Sequence, residues 1–454
     1  MRLYTDAQLR ELTAEAETFF ENGHEPTESP SPDNDRAPAT DASDWPADMG
    51  PAAFCGLPGD VVRVLAPHTE ADPHAILMDF LVLAANAAGD DAHLLIGADR
   101  HVPRLNAVIV GITSKGRKGQ AYGMARWPLA LAAPEWANNN VTTGLSSGEG
   151  LIYAVRDPIT RQEAIKEKGR VVGYQEVEVD PGVSDKRLCA VEPEFARATR
   201  VAGRDGSILS VVIRDSWDTG MLRVMTKNSP VRATGAHISI LGQITRDELL
   251  RELSTSDIAN GMANRFIFQM ARRSKLLPDG GQPPVSEIEE LGGRLADALR
   301  FASSAGRMSR DSAATDLWHA KYAELSAERP GLFGAMTARA EAQVLRLSMV
   351  YALLDLNKTI RRQHLEAALA VWERAEATVR YLFGDLTGDS VADTILRALR
   401  AQALMTQTDI GALFGRHVPS ERIGKATALL LEGGLVTCER IETDGRPAMK
   451  WKAK

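Results

Sequence analysis

The stretch 105–119, LNAVIVGITSKGRKG, constrains this chain more than any other, because an apolar run of strand character breaks off into a loop of Gly, Thr, Ser and Lys. Glycines let backbone N–H groups close around an anion, and a helix starting at the loop adds its positive end. The spacing predicts such a helix over 118–131. Gly111 and Gly116 stand at the separation of a phosphate-binding loop, whose pattern is Gly, four residues, Gly-Lys, then Ser or Thr. Here Arg117 occupies the lysine place, Lys118 follows one position late, and Gln120 replaces the nearby hydroxyl. The candidate phosphate ligands are Gly111, Thr113, Ser114, Gly116, Arg117, Lys118 and Gly119. A glycine-rich surface turn is the alternative.

At 454 residues, with 44% hydrophobic content, the chain is large enough for two or three cores. Cys55, Cys189 and Cys438 are too far apart for a zinc knuckle or a disulfide framework and read as reduced core residues. No segment reaches the roughly 18 uninterrupted apolar residues of a membrane span, and the acidic, amphipathic N-terminus is unlike a secretion signal. A cytoplasmic protein without a membrane partner is expected. The net charge of −7 is unevenly spread. Residues 1–50 hold twelve Asp/Glu against three Lys/Arg, whereas residues 391–454 hold ten Lys/Arg against seven Asp/Glu. Local fields decide polyanion binding, so the basic tail is the candidate end for nucleic acid.

Residues 1–50 read as an acidic helix and a disordered Pro/Ser/Asp-rich linker, and 51–100 as an N-terminal helical subdomain. Over 101–330, strands at 140–143, 187–191 and 237–241 follow the first one, with a helix at 148–156 and helical stretches between, which is the rhythm of a parallel sheet. Residues 331–388 read as a helical lid. Residues 389–454 carry three helical segments and a hairpin, the layout of a winged helix-turn-helix.

A loop of this kind, in a hydrolytic enzyme, needs a second strand ending in carboxylates to orient magnesium and polarise water. RLCAVEPEFA supplies Glu192 and Glu194 after an apolar strand, and spacing leaves open which of them meets the metal. Glu149 in GLSSGEGL is a further base candidate, or a charge that complements a helix N-terminus. AHISILGQIT ends in the polar pair Gln243 and Thr245. In NGMANRF, Arg265 precedes an apolar strand and is a candidate finger toward a neighbouring subunit's phosphate, with Arg272 and Arg273 as alternatives. Arg339 and Arg346, seven apart, share a helix face. LRVMTKNSPVRATG reads as a hairpin with Lys227 at its turn and Arg232 on its return, either a solvated basic turn or a grip on one nucleic-acid strand. In the tail, Arg422 and Lys425 lie on the third helix, with Ala428 and Leu429 to Leu431 available for the core. Arg446, Lys450 and Lys452 lie on the wing, a layout suited to phosphate contacts.

GITSKGRKG, GLSSGEGLIYAVRD, DKRLCAVEPEFA, HISILGQIT and NGMANRF, in this order, resemble a largely uncharacterised P-loop ATPase family (domain of unknown function 3987) of phage and plasmid primase-helicase-type proteins, in its actinobacterial branch. The resemblance spans roughly residues 50–385. ANRF and RAEAQVLRLS are more loosely similar to the finger and lid of MCM-type AAA+ helicases. The resemblance implies an α/β fold, a P-loop NTPase (RecA/AAA+-like) parallel-sheet core with a helical lid, to which the chain adds the tail. It implies ATP and Mg2+ as cofactors, Glu192 at the metal, Gln243 as sensor, and Arg339 or Arg346 reaching the nucleotide from the lid. It further implies a homo-oligomeric ring completed by Arg265, single-stranded DNA in its pore, and a primase on a separate chain. Family members tend to carry Thr-Ser after GRKG and His at position 243; this chain has Gln-Ala and Gln. The expected function is an ATP-dependent DNA-binding motor or helicase/loader-like ATPase of mobile-element or plasmid replication. A nucleotide-gated DNA-binding regulator or initiator with little hydrolysis is the alternative, and a non-enzymatic DNA-binding scaffold the third reading.

Overall fold

Strand β1 (Ala107–Gly111) is buried along its whole length, so both of its faces need cover. It lies inside an all-parallel sheet with β2 (Val141–Thr142), β3 (Arg187–Glu192), β4 (His237–Thr245) and β5 (Ile267–Ala271), in the order β5-β1-β4-β3-β2. The computed structural model describes residues 45–454 apart from 168–169, 225–230, 254–260, 330, 385, 403, 416 and 442–447. The expected helix at 5–21, the linker up to 44, Lys227 and Arg446 lie outside the described residues.

The helices that cover the sheet are, in chain order, α1 (Pro73–Ala88), α2 (Lys118–Ala132), α3 (Phe195–Ala202), α4 (Leu209–Asp218), α5 (Arg246–Glu252), α6 (Val285–Ala302), α7 (Ala340–Leu354) and α8 (Arg362–Phe383). One face of the sheet joins a core with α1, α2, α6, α7 and α8, and the other joins a core with α3, α4, α5 and the end of α8. The result is a three-layer α/β/α arrangement. Every residue of α1 except Pro73 is buried, as a helix that is apolar all round must be. Asp72 caps its first turn by accepting from the His74 N–H, Pro73 occupies the first helical position, and Gly89 at φ 78° ends it.

Three expectations about domains change accordingly. Segment 51–100 is not a separate subdomain, because α1 packs directly on the sheet and forms its inner cover. The helices expected as a lid, α7 and α8, belong to the same layer. Residues 45–50, assigned to the linker, are packed: Trp45 meets Tyr381 edge-on at 5.6 Å, and Arg374 donates to the Pro46 and Ala47 carbonyls at 3.0 and 2.6 Å.

Between β2 and β3, where helical stretches were expected, an antiparallel hairpin of Ile159–Glu167 and Arg170–Asp180 stands almost wholly exposed. The apolar run near 94 forms a small hairpin of Leu94–Ile96 with Asp99–His101 outside the main sheet. Leu222–Arg223 pairs antiparallel with Arg232–Ala233, the two arms of the expected basic hairpin. In the tail, helices Ser390–Ala401, Gln407–Leu413 and Ser420–Glu432 enclose a separate core against an antiparallel sheet of Met405–Thr406, Ala448–Ala453 and Val436–Ile441. The third tail helix turns Ile423, Ala426 and Leu430 inward; Ala428, Leu429 and Leu431, read as core candidates with Leu430, are exposed, because the inward stripe follows the helical period set by Ile423.

Asp79 is completely buried in the middle of α1, and among the described residues neither carboxylate oxygen has a hydrogen-bond partner. Burial raises its pKa well above the ordinary 3.8, so the folded chain keeps a proton that the unfolded chain releases. The stability supplied by protonated Asp79 is complete below 3.8 and is lost as pH rises toward the folded pKa, by about 1.4 kcal/mol per pH unit. Asp79→Asn removes the titration. Its urea-unfolding free energy, relative to the parent, is expected to increase between about pH 5 and about pH 8; a constant difference would show that no proton is held at Asp79.

Candidate functional site

The chain leaves β1 toward β2 on one side of the sheet and leaves β4 toward β5 on the other, so successive connections part between β1 and β4. Open α/β sheets bind ligands in the crevice outside the carboxyl ends of the strands at such a switch point. Register pairs Thr245 with Gly111 and Gln243 with Ile109, which sets the 111–118 loop beside the end of β4. Gly242 pairs with Glu192, bringing the end of β3 to the same rim.

The loop makes a single turn over Ser114–Gly116, where Thr113 accepts the Lys115 N–H, and α2 begins at Lys118. Lys118 folds back over the loop: its ammonium donates to the Thr113 carbonyl at 3.3 Å, and a Cβ at Gly111 would come within 2.8 Å of its Nζ. A larger residue there would have to displace the Lys118 ammonium and would press on the Thr113 carbonyl at 3.0 Å. Burial lowers the Lys118 pKa against the opposing pull of Glu248, and the residue is 8% exposed. Thr113 and Ser114 are exposed at the loop crest, and Gly116 packs near the Ala271 carbonyl that ends β5.

Arg117, one residue earlier, has φ 57° and ψ 30°, a left-handed conformation uncommon for a residue with a side chain. Its Nε lies 2.6 Å from Glu70 Oε2, so the side chain points away from the loop interior. Of the two cations read as phosphate ligands, Lys118 is directed at the loop and Arg117 is committed to Glu70. Gly119 stands on the helix directly after Lys118, where a phosphate loop carries its hydroxyl.

Gln243 is buried and donates to the Lys118 carbonyl at 3.3 Å, which ties β4 to the first turn of α2. Thr245 starts α5 with a reciprocal capping box to Glu248. Glu192 is 2% exposed; one oxygen accepts the Leu145 N–H and the other faces Arg197 Nη2 at 3.7 Å. Glu194 is exposed at the start of α3 and makes no capping bond. Glu149 is exposed in the first turn of Gly148–Ala154, where its charge complements the helix end. Sequence reasoning missed Glu70, Arg197 and Glu248. The Thr-x-x-Glu spacing of the capping box was a readable signal for Glu248; neither of the others has one.

Arg265, Arg339 and Arg346 lie at the opposite end of the sheet, about 16 Å away along a five-residue strand. Arg265 is buried just before β5, paired with Asp218 at 2.7 Å and donating to the Gly261 carbonyl at 2.7 Å and Asn264 Oδ1 at 2.9 Å. Arg346 donates to the Arg104 and Trp217 carbonyls at 3.2 and 2.9 Å and stacks 3.6 Å from the Trp217 ring. Burial, reinforced by Arg104, lowers its pKa well below the ordinary arginine range, and burial pushes Arg104 down to about 10. Arg346 therefore does not reach the loop of its own chain, since its guanidinium is taken up by carbonyls at the amino end of β1 and the end of α4. Arg339 is exposed where α7 begins, at the same end. Arg272 lies over the Trp45 ring and Arg273 faces Glu70 at 3.7 Å.

Of the residues read as DNA contacts, Arg232 is exposed 3.6 Å from Asp157, Arg422 pairs with Asp389 at 2.6 Å, and Lys425 pairs with Glu421 at 2.9 Å. Lys450 and Lys452 alternate with buried Trp451, so they share the outer face of the tail sheet.

Arg346→Met is expected to cost about 1–3 kcal/mol of stability, because it takes the donor from the buried Arg104 carbonyl while the Trp217 carbonyl keeps its bond from Arg104, and to leave anion affinity at the loop unchanged. Chemical denaturation and a binding titration check the two halves; weakened binding at full stability would return Arg346 to the loop. No protein-family model matches the chain, and no curated protein sequence matches it.

Proposed function

We propose that this chain is a nucleoside-triphosphate-binding protein of the P-loop type, an ATP- and Mg2+-dependent DNA-binding ATPase that works as a motor or loader in mobile-element or plasmid replication. The observation that carries the reading is the Lys118 ammonium, buried over Gly111 at the switch point of a parallel sheet and held by one carbonyl. A cation so placed recovers its lost hydration from an anion that enters the loop. The glycine cradle and the amide-rich start of α2 fit a phosphate. Lys118 and the loop amides would hold the phosphates, and Gln243 fixes Lys118 through its carbonyl.

For Mg2+ the fit is narrower. Gly119 offers no hydroxyl, and among the described residues no three His, Cys, Asp or Glu gather as a metal cage. Glu192 would hold the ion together with phosphate oxygens, the usual arrangement for magnesium. Bound there, the ion would supply charge neutralisation at the transferred phosphate. Glu192 must loosen from Arg197 to do so, and that contact favours the second reading, a nucleotide-gated regulator or initiator with little hydrolysis. The DNA partner rests on Lys450 and Lys452, and on Arg232 at the hairpin arm. A ring completed by Arg265 requires that residue to leave Asp218.

The test is ATP binding and hydrolysis with and without single-stranded DNA. Lys118→Ala is expected to weaken ATP binding by tenfold or more, about 1.5–3 kcal/mol for a charged hydrogen bond, and Glu192→Gln to keep binding while losing turnover. DNA-stimulated turnover supports the motor; binding without turnover selects the regulator; absence of binding overturns both. Because only the ammonium form attracts phosphate, affinity should be full below the depressed Lys118 pKa. It should decline as pH rises through that value, earlier than for an ordinary lysine at 10.5, and Lys118→Arg should move the decline upward. Affinity for single-stranded DNA should fall by about 0.7 log unit per log unit of salt for each phosphate neutralised, with a shallower slope in a Lys450→Ala/Lys452→Ala variant; an unchanged slope would remove the tail from DNA contact.

A further inference from the structure

Arg117 and Leu356 are the non-glycine residues with positive φ among those described. A side chain in that region persists when its surroundings over-determine it. At Arg117 the surroundings come from Glu70, which lies in the short connection that leads into α1. Glu70 is 6% exposed, and its carboxylate is held from three directions: Arg117 at 2.6 Å, Arg273 at 3.7 Å, and the Leu277 N–H, which donates to Oε1 at 2.9 Å. Its own carbonyl accepts from Ser274 N and Oγ at 2.9 and 3.1 Å. Two residues on, Asp72 accepts the Arg272 N–H at 3.0 Å. The segment 70–72 is thus fastened to the chain that leaves β5, and Glu70 is a fixed post.

Arg117 is tied to that post at the turn where the loop becomes a helix. Its left-handed φ and ψ reverse the chain between the Ser114–Gly116 turn and α2, and the next residue is Lys118. A right-handed residue at this position would rotate the start of α2 and carry the Lys118 ammonium off Gly111.

We propose that Glu70 is a positioning residue for the anion loop: by holding the Arg117 side chain it fixes the left-handed residue that seats Lys118. The functional half rests on the nucleotide reading above; the structural half does not. Glu70→Gln is the informative change, because the amide oxygen keeps an acceptor for the Leu277 N–H while the charge that binds Arg117 is lost. Arg117→Gly is its counterpart, since glycine adopts φ near 57° without strain and needs no post.

The experiment combines amide hydrogen exchange of residues 112–121 in the ligand-free protein with ATP titrations on the parent, both single variants and the double variant. Glu70→Gln is expected to speed loop exchange and weaken ATP binding about tenfold, without matching changes in exchange at β3 or β4. In the Arg117→Gly background the same change should alter neither quantity. Unchanged loop exchange in Glu70→Gln overturns the proposal. So does an equal effect in both backgrounds, because Glu70 would then act through Arg273 and Leu277. If the parent binds no ATP but the exchange pattern holds, the nucleotide reading fails and the positioning role stands.

Discussion

The Asn86 side chain is the contact on which the rest of this structure depends. Its Nδ2 donates to the Leu188 carbonyl of β3 and the His237 carbonyl of β4, both at 3.0 Å, and its Oδ1 accepts the Trp136 indole N–H at 2.9 Å. A fully buried amide with each of these bonds made is specific to one arrangement, because any slip of the helix leaves donors and acceptors unpaired in an apolar layer. His237 answers from the sheet, its Nε2 lying 3.0 Å from the Ala85 carbonyl. The far end of α1 is fixed by Asp72, which holds the Arg272 N–H beyond β5. One apolar helix, about 24 Å long for sixteen residues, is therefore pinned at the amino ends of β3 and β4 and at the carboxyl end of β5. Glu70 stands just before it, so the register of α1 on the sheet is passed to Arg117 and from there to Lys118.

The two ends of the sheet treat positive charge in opposite ways. At the amino end, Arg104 and Arg346 both donate to the Trp217 carbonyl, the negative end of α4, and Arg265 is matched by Asp218. Those guanidiniums are bound to the fold. At the carboxyl end, Arg117 and Arg273 are drawn to Glu70 and Arg197 to Glu192, which leaves Lys118 with a carbonyl and the more distant Glu248. A dehydrated ammonium beside a helix N-terminus is stabilised most by an anion. That contrast makes the carboxyl end of the sheet the candidate binding site and the amino end a joint.

Much of the fold was legible because it rests on local pattern. AVIVG, RLCAVE and HISILGQIT read as buried strands from their unbroken apolar runs, and α2 was readable from the loop before it. The tail helices and strands were legible for the same reason. What was not legible is tertiary. The sequence of α1 says that it is buried but not against what, so it read as part of a separate subdomain. The hairpin at 159–180 has no continuous apolar face, and period-two alternation shows only over the short run Glu176–Asp180. Arg339 is the exposed N-cap residue of α7 and Arg346 is buried within the helix, so the seven-residue spacing neither put both in one environment nor said which end of the sheet Arg346 meets. Glu70 shares a short polar stretch with Asp72 and is separated from Arg117 by α1, the hairpin of 94–101 and β1, and only the folded chain brings the pair together.

Under the proposed function, the candidate site divides anion capture from turnover more sharply than a standard phosphate loop. In the standard pattern, the lysine and the metal-binding hydroxyl are consecutive, so one backbone conformation places both. Here the lysine is delayed by one residue, Arg117 takes up the reversed backbone, and Gly119 follows Lys118. Capture needs only what the loop itself holds: Gly111, Lys118 and the first amides of α2. Turnover, as proposed, would need Glu192, whose oxygens are shared between the Leu145 N–H and Arg197. Arg197 is half-exposed on α3, so its side of the contact with Glu192 is open to solvent. Under the proposed function, the nucleotide is held by elements tied to α1 through Glu70, while hydrolysis is set by a surface arginine on the opposite layer of the sheet. A partner or DNA segment that drew Arg197 outward would free the carboxylate without disturbing the loop.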